Sequence, residues 1–159
     1  EVTVPDNGDI RLLKASSAAS IVCDQPLAQQ DRVQLSATSA ATVRAAVRAR
    51  ECRIGATSSA TVCTRLEAET CEVRVSSAAR VRMKGSCEQC SLRASSAGRI
   101  DAAEFTARTC SANASSAASV TVRCEESLDA HASSAGTISY AGDAVAEVSA
   151  SSGGSVNKL

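Results

Sequence analysis

The chain has 159 residues and a mass of 16.2 kDa, the size of one ordinary domain. Its 17 Lys and Arg balance 17 Asp and Glu, and a zero formal charge argues against a general nucleic-acid or anionic-membrane binder, which needs a basic surplus. Phe105 and Tyr140 are the only aromatic residues, so the core must be built from Ala, Val, Ile, Leu and Cys.

No apolar run reaches the roughly 18 residues of a membrane-spanning helix. The chain opens on Glu1 rather than Met, as an exported protein does once its signal sequence is removed. Eight cysteines fit an oxidising, extracellular or cell-surface setting. Metal-ligand spacing is missing: Cys87-Glu88-Gln89-Cys90 is the one CxxC, with no second pair beside it.

A seven-residue phrase recurs along the chain. It reads ASSAASI from Ala15, ATSAATV from Ala37, ATSSATV from Ala56 and VSSAARV from Val75, then ASSAGRI from Ala94, ASSAASV from Ala114, ASSAGTI from Ala132 and ASSGGSV from Ala150. The starts are 22, 19, 19, 19, 20, 18 and 18 residues apart. That period, with β-branched residues and small turn residues, predicts one coil of a parallel β-solenoid per repeat. Leucine-rich repeats need a leucine ladder and an asparagine in each unit. Helical repeats need about 33 residues or more. The expected fold is all-β, one domain over residues 1–159, with about eight coils of 18–22 residues. Residues 1–14 supply an N-terminal half-coil, 15–149 seven full coils and 150–159 a C-terminal half-coil.

Stacking the copies aligns Ile21, Val43, Val62, Val81, Ile100, Val120, Ile138 and Val156 in one aliphatic column, expected to face inward. A second column runs Leu13, Leu35, Ile54, Val73, Leu92, Ala112, Ala130 and Val148. The third phrase position is Ser17, Ser39, Ser58, Ser77, Ser96, Ser116, Ser134 and Ser152. Strict period-two alternation puts these serines inward too, with hydroxyls bonded to one another or to backbone at the corner that follows. The charged residues between the columns read as a mixed, solvated coat rather than a patch.

Cys52, Cys71, Cys90 and Cys110 fall in one column on four consecutive coils. Strands about 4.8 Å apart bring neighbours within disulfide reach, and Cys52–Cys71 with Cys90–Cys110 uses all four. The alternative is four reduced cysteines acting as small buried hydrophobes. Cys23, Cys63, Cys87 and Cys124 share no column and stay unassigned.

The stretch from Leu128, LDAHASSAGTISYAGDAVAEVSASSGGSVNKL, resembles the last two coils of the auto-transporter adhesin head domain, the GIN domain. It is similar in the small-residue phrase followed by Ile or Val, in Tyr140-Ala141-Gly142, and in the finish Asn157-Lys158-Leu159. The resemblance implies a right-handed parallel β-helix on an exported, cell-envelope protein, with no established reaction. Its members usually have Gly where this chain has Ala or Ser, lack the cysteine column, and carry a further N-terminal portion.

No catalytic, cofactor or metal residue is assigned. Glu67 with Glu69 and Glu125 with Glu126 are local carboxylate pairs, not a cluster repeated across coils. His131 has no Ser–Asp partner that the sequence can place. The outward column Ser20, Thr42, Thr61, Arg80, Arg99, Ser119, Thr137 and Ser155 would suit ice binding but for its two arginines. Two functions remain. The end segments complement one another without a charged or helical cap, which leads us to expect head-to-tail stacking into a cell-surface or secreted filament, the partner being the chain itself. The alternative is a monomeric adhesin or glycan-binding head that contacts cell-surface components.

Overall fold

The computed structural model describes residues 10–23 and 25–159; the first nine residues of the expected N-terminal half-coil lie outside them. Among the described residues there is no helix. The strands are β1 (Leu12–Ala15), β2 (Ser20–Val22), β3 (Leu27–Ala37), β4 (Thr42–Ala56), β5 (Thr61–Val75), β6 (Arg80–Ala94), β7 (Arg99–Ala114), β8 (Ser119–Ala132), β9 (Thr137–Ala141), β10 (Val145–Ala150) and β11 (Ser155–Lys158). Every pairing is parallel and joins one coil to the next, in the order β1-β3-β4-β5-β6-β7-β8-β9-β11, with β2 on β4 and β10 on β8. The molecule is a β-solenoid of about eight turns.

The aliphatic column is inward as expected. Val43, Val62, Val81, Ile100, Val120 and Ile138 are fully buried, while Ile21 and Val156, in the end coils, are half-buried against the same core. Phe105, the one core aromatic, is in register with Gly85 and, one coil further, with Leu66. The column thus sets its largest side chain beside its smallest.

The serine column is not inward. All eight phrase-position serines are exposed, and their φ values lie between 49° and 55°. The residue after each is also left-handed: Ala18, Ala40, Ser59, Ala78, Ala97, Ala117, Ala135 and Gly153. Two consecutive left-handed residues make a type I′ turn, closed in the first copy by the Ala19 amide donating to Ser16 O at 3.1 Å. The turn reverses the pleat, so position three, inward by alternation, becomes the outer tip of a corner. The fifth position turns back inside, as buried Ala41, Ala60, Ala79 and Ala118 show. The corner also bonds coil to coil: Ala40 N donates to Ser58 O, and Ala78 N to Ser96 O, at 2.9 and 3.0 Å.

A second corner breaks the alternation with adjacent outward residues, such as Glu69-Thr70 and Glu88-Gln89. Coil length varies on this side of the phrase. Strand β7 carries one residue more than β6 between Arg82↔Asp101 and Lys84↔Glu104. Strand β8 then drops three residues between Ala102↔Val122 and Thr106↔Arg123, and regains one before Thr109↔Ser127. The I′ corners keep their register throughout.

Among the described residues one buried polar side chain stands alone. Thr64 is 5% exposed, and its hydroxyl has no hydrogen-bond partner. An unmade bond of this kind costs about 1–3 kcal/mol. Thr64→Val, close to isosteric, is therefore expected to raise the midpoint of thermal unfolding by calorimetry; a fall would show that the hydroxyl is satisfied in solution.

Candidate functional site: the cysteine-floored groove

The second corner opens a groove of about 730 Å³ across β5 to β8 and β10. Its floor is Cys71, Cys90, Cys110 and Leu128, each at most 5% exposed. These side chains point inward, but the adjacent outward residues at the corner leave the edge of the column reachable. Thr70, Gln89, Thr109 and Ser127 form one lip. Thr70 and Thr109 donate their hydroxyls to the carbonyls of Arg50 and Glu88 on the preceding coil, at 3.5 and 3.3 Å, which fixes that lip. The other lip carries Glu72, Ser91, Ser111 and Asp129, with Glu51 and Glu147 at the ends. No Lys, Arg or aromatic residue lines the groove.

Cys52, Cys71, Cys90 and Cys110 are register partners coil after coil, as the spacing predicts. No disulfide joins Cys52 to Cys71 or Cys90 to Cys110 in this structure, where all four are free cysteines. Spacing alone placed the column correctly. Two unassigned cysteines join it: Cys87 is within hydrogen-bond contact of Cys90, and Cys124 is buried beside Cys110. The missed signal was the corner, which brings a residue three positions before Cys90 to the same interior.

Burial first, then Cys71, pushes the Cys52 thiol far above the ordinary value. Contacts with Cys110, Cys71 and Cys87, then burial, raise Cys90. Burial first, then Cys110, raises Cys124. Each folded pKa lies above its unfolded value near about 8.5, so the stabilisation is full below that pH and is lost as pH climbs through the folded values. In reductant, the urea midpoint should hold flat from pH 6 to about 8 and fall above about pH 9. Cys52→Ala should flatten that slope; an unchanged slope would remove Cys52 as its source.

The other residues singled out from the sequence lie apart from the groove's floor. His131 Nε2 is 3.0 Å from Asp129, two residues along the same strand. Glu67 pairs with Arg48 and Glu126 with Arg108, each at 2.6 Å, while Arg108 also reaches Glu88 at 3.2 Å. Glu67 and Glu126 are thus braces between coils. Among the described residues no group of three or more ligand side chains is arranged to hold a metal ion.

Four carboxylates and no cation line the groove, although Arg53 and Arg74 pair with its Glu51 and Glu72. The outward face of the first halves of β4 to β7 carries Arg44, Arg65, Arg80, Arg82, Lys84 and Arg99 alongside the carboxylates Glu67, Asp101 and Glu104. Stacking makes neighbours of residues 19 or 20 positions apart, so the mixed coat gains a local cationic excess on this face.

Three solved structures share the fold. A putative adhesin from Parabacteroides merdae is 19% identical, with a TM-score of 0.86 over 94% of this chain and 63% of its own. A putative lipid binding protein from Parabacteroides distasonis is 20% identical, with a TM-score of 0.88 over 94% of this chain and 61% of its own. A putative adhesin from the same organism is 20% identical, with a TM-score of 0.85 over 94% and 64%. The chain therefore spans less than two thirds of the length of each, and at this identity the likeness is one of fold. No curated protein matches the chain. One family model matches residues 1–144, which hold seven of the eight phrases: the chain belongs to the family described as Putative auto-transporter adhesin, head GIN domain.

Proposed function

We propose that this chain is a non-catalytic adhesive head, exported and displayed at the cell surface, whose groove takes an extended, hydroxyl-rich glycan. One observation carries the reading: the groove crosses four coils and offers an apolar floor between lips of hydroxyl, amide and carboxylate groups. Such groups exchange hydrogen bonds with sugar hydroxyls, and a rigid parallel sheet holds them at a fixed pitch. Membership of an adhesin family supports the location. A glycan array tests it: binding to neutral oligosaccharides is expected, weakened at least about tenfold by Gln89→Lys. An array without hits would reject the reading.

Head-to-tail stacking into a filament is the second reading, and it has its own support. Among the described residues, the exposed large apolar side chains are Leu12 and Val22 in the first coils and Val145, Val148 and Leu159 in the last. Val148 is in register with the inward Ala130, so a copy stacked on the last coil would cover it. Negative-stain microscopy should then show fibres; a monomer at every concentration in sedimentation would reject stacking.

Outside the cell, the ladder would be riveted by oxidation of Cys52 with Cys71 and Cys90 with Cys110. Each pair would pass two electrons and two protons to a disulfide oxidant. Mass spectrometry of thiol-blocked protein, with and without reductant, reads this directly.

A further inference from the structure

The basic face is the least expected surface of a neutral protein. Arg80 is the register partner of Arg99, and Arg65 of Lys84. Like charges directly opposite on adjacent strands are destabilising. Arg82 and Lys84 each find a carboxylate on the next coil, Asp101 at 3.2 Å and Glu104 at 2.7 Å. Arg44, Arg65, Arg80 and Arg99 have no ion-pair partner among the described residues, nor do Arg93 and Arg123 elsewhere, whereas other arginines are held in cross-coil pairs such as Arg32–Glu51 and Arg48–Glu67; only on this face do the unpaired cations stand in register with one another.

A pocket of about 300 Å³ lies within this face. Arg44, Cys63, Thr64, Arg65, Arg82 and Lys84 line it. Cationic repulsion is thus left standing around one depression. A bound anion would relieve it by neutralising the guanidinium groups.

We propose that this face binds an anionic polysaccharide, its sulfate or carboxylate groups lying over the Arg44, Arg65, Arg80 and Arg99 guanidinium groups. Cations repeat at about 4.8 Å from coil to coil and about 6.8 Å along a strand, from Arg80 to Arg82 to Lys84, which suits a polymer bearing regularly spaced charge. Nucleic acid is disfavoured because the face has no aromatic ring for base stacking: Phe105 is fully buried, and Tyr140 is on β9, beyond it. The site is separate from the groove and takes an anionic ligand where the groove takes a neutral one, so each can fail without the other.

The experiment measures binding of the whole chain to heparin and polygalacturonate, with dextran, duplex DNA and anionic lipid vesicles alongside. The triple variant Arg65→Ala/Arg80→Ala/Arg99→Ala is compared with Arg93→Ala, which lies on another face. Wild type is expected to bind heparin or polygalacturonate at low salt and to release it as salt rises. The triple variant should lose about tenfold or more in affinity, Arg93→Ala should match wild type, and the triple variant's thermal midpoint should hold or rise as repulsion is relieved. Absence of polyanion binding overturns the proposal. So does equal loss in Arg93→Ala, a lowered thermal midpoint in the triple variant, or binding of DNA or vesicles as tight as that of the polysaccharides. Neutral glycan binding by the triple variant, unchanged, separates this site from the groove.

Discussion

Gly85→Ala is expected to destabilise the solenoid by about 3 kcal/mol or more, lowering the thermal midpoint by roughly 10 °C. Gly85 has φ +113°, a region that L side chains rarely adopt. A Cβ there would stand 2.1 Å from the carbonyl oxygen of Leu66 on the coil below. That oxygen belongs to a paired backbone and cannot swing aside as a side chain would. The substitution must therefore break the β5–β6 ladder locally or shift the coil. Gly55→Ala is the matched control: nothing lies within 4 Å of its added Cβ, and its change should stay within about 0.5 kcal/mol. Equal effects of the two substitutions would mean that the close approach at Gly85 is absent in solution. Hydrogen exchange would locate the damage at β5 and β6, since coils couple chiefly to their neighbours.

The opposite result is expected at the I′ corners. A non-glycine residue in the left-handed region costs roughly 1–2 kcal/mol, and this chain places two in seven of its eight corners. The last corner already uses Gly153. Asn-Gly is the preferred pair for this turn. Ser→Asn with Ala or Ser→Gly at residues 39–40, 58–59, 77–78 and 96–97 should add about 1 kcal/mol per corner, after the extra unfolded-state entropy of glycine is subtracted. Four corners should together raise the thermal midpoint by roughly 10 °C. Ala78→Val should act the other way, because branching at Cβ worsens the same clash. A set of corner variants that melts with or below wild type would show that the corner backbone differs from the I′ geometry.

The coil length, the two aliphatic columns and the cysteine ladder were legible because each is a statement about period, and period survives stacking unchanged. The serine column was misread for a local reason. Ser17, Ser39 and their counterparts obey the count of two but sit at a pair of left-handed residues, and nothing in Ser-Ala announces that conformation as Asn-Gly would. The groove lay beyond reach because it depends on the second corner, whose residues change from coil to coil: Arg50-Glu51, Glu69-Thr70, Glu88-Gln89, Arg108-Thr109. The basic face lay beyond reach because Arg65 and Lys84 are nineteen residues apart along the chain and become neighbours only through the register. Composition counts such charges; it does not say which of them share a side.

The main-chain bonds that join the coils all run along the stacking direction, at the I′ corners as well as in the strands. A tensile load applied along that direction meets them end-on, so it peels a coil by breaking bonds a few at a time instead of shearing a whole ladder at once. Each released coil of about 19 residues would pay out roughly 60 Å of slack. For a head tethered at one end and attached by its side, that is a shock absorber: a tug from flow is spent on unwinding turns one after another before the grip is tested.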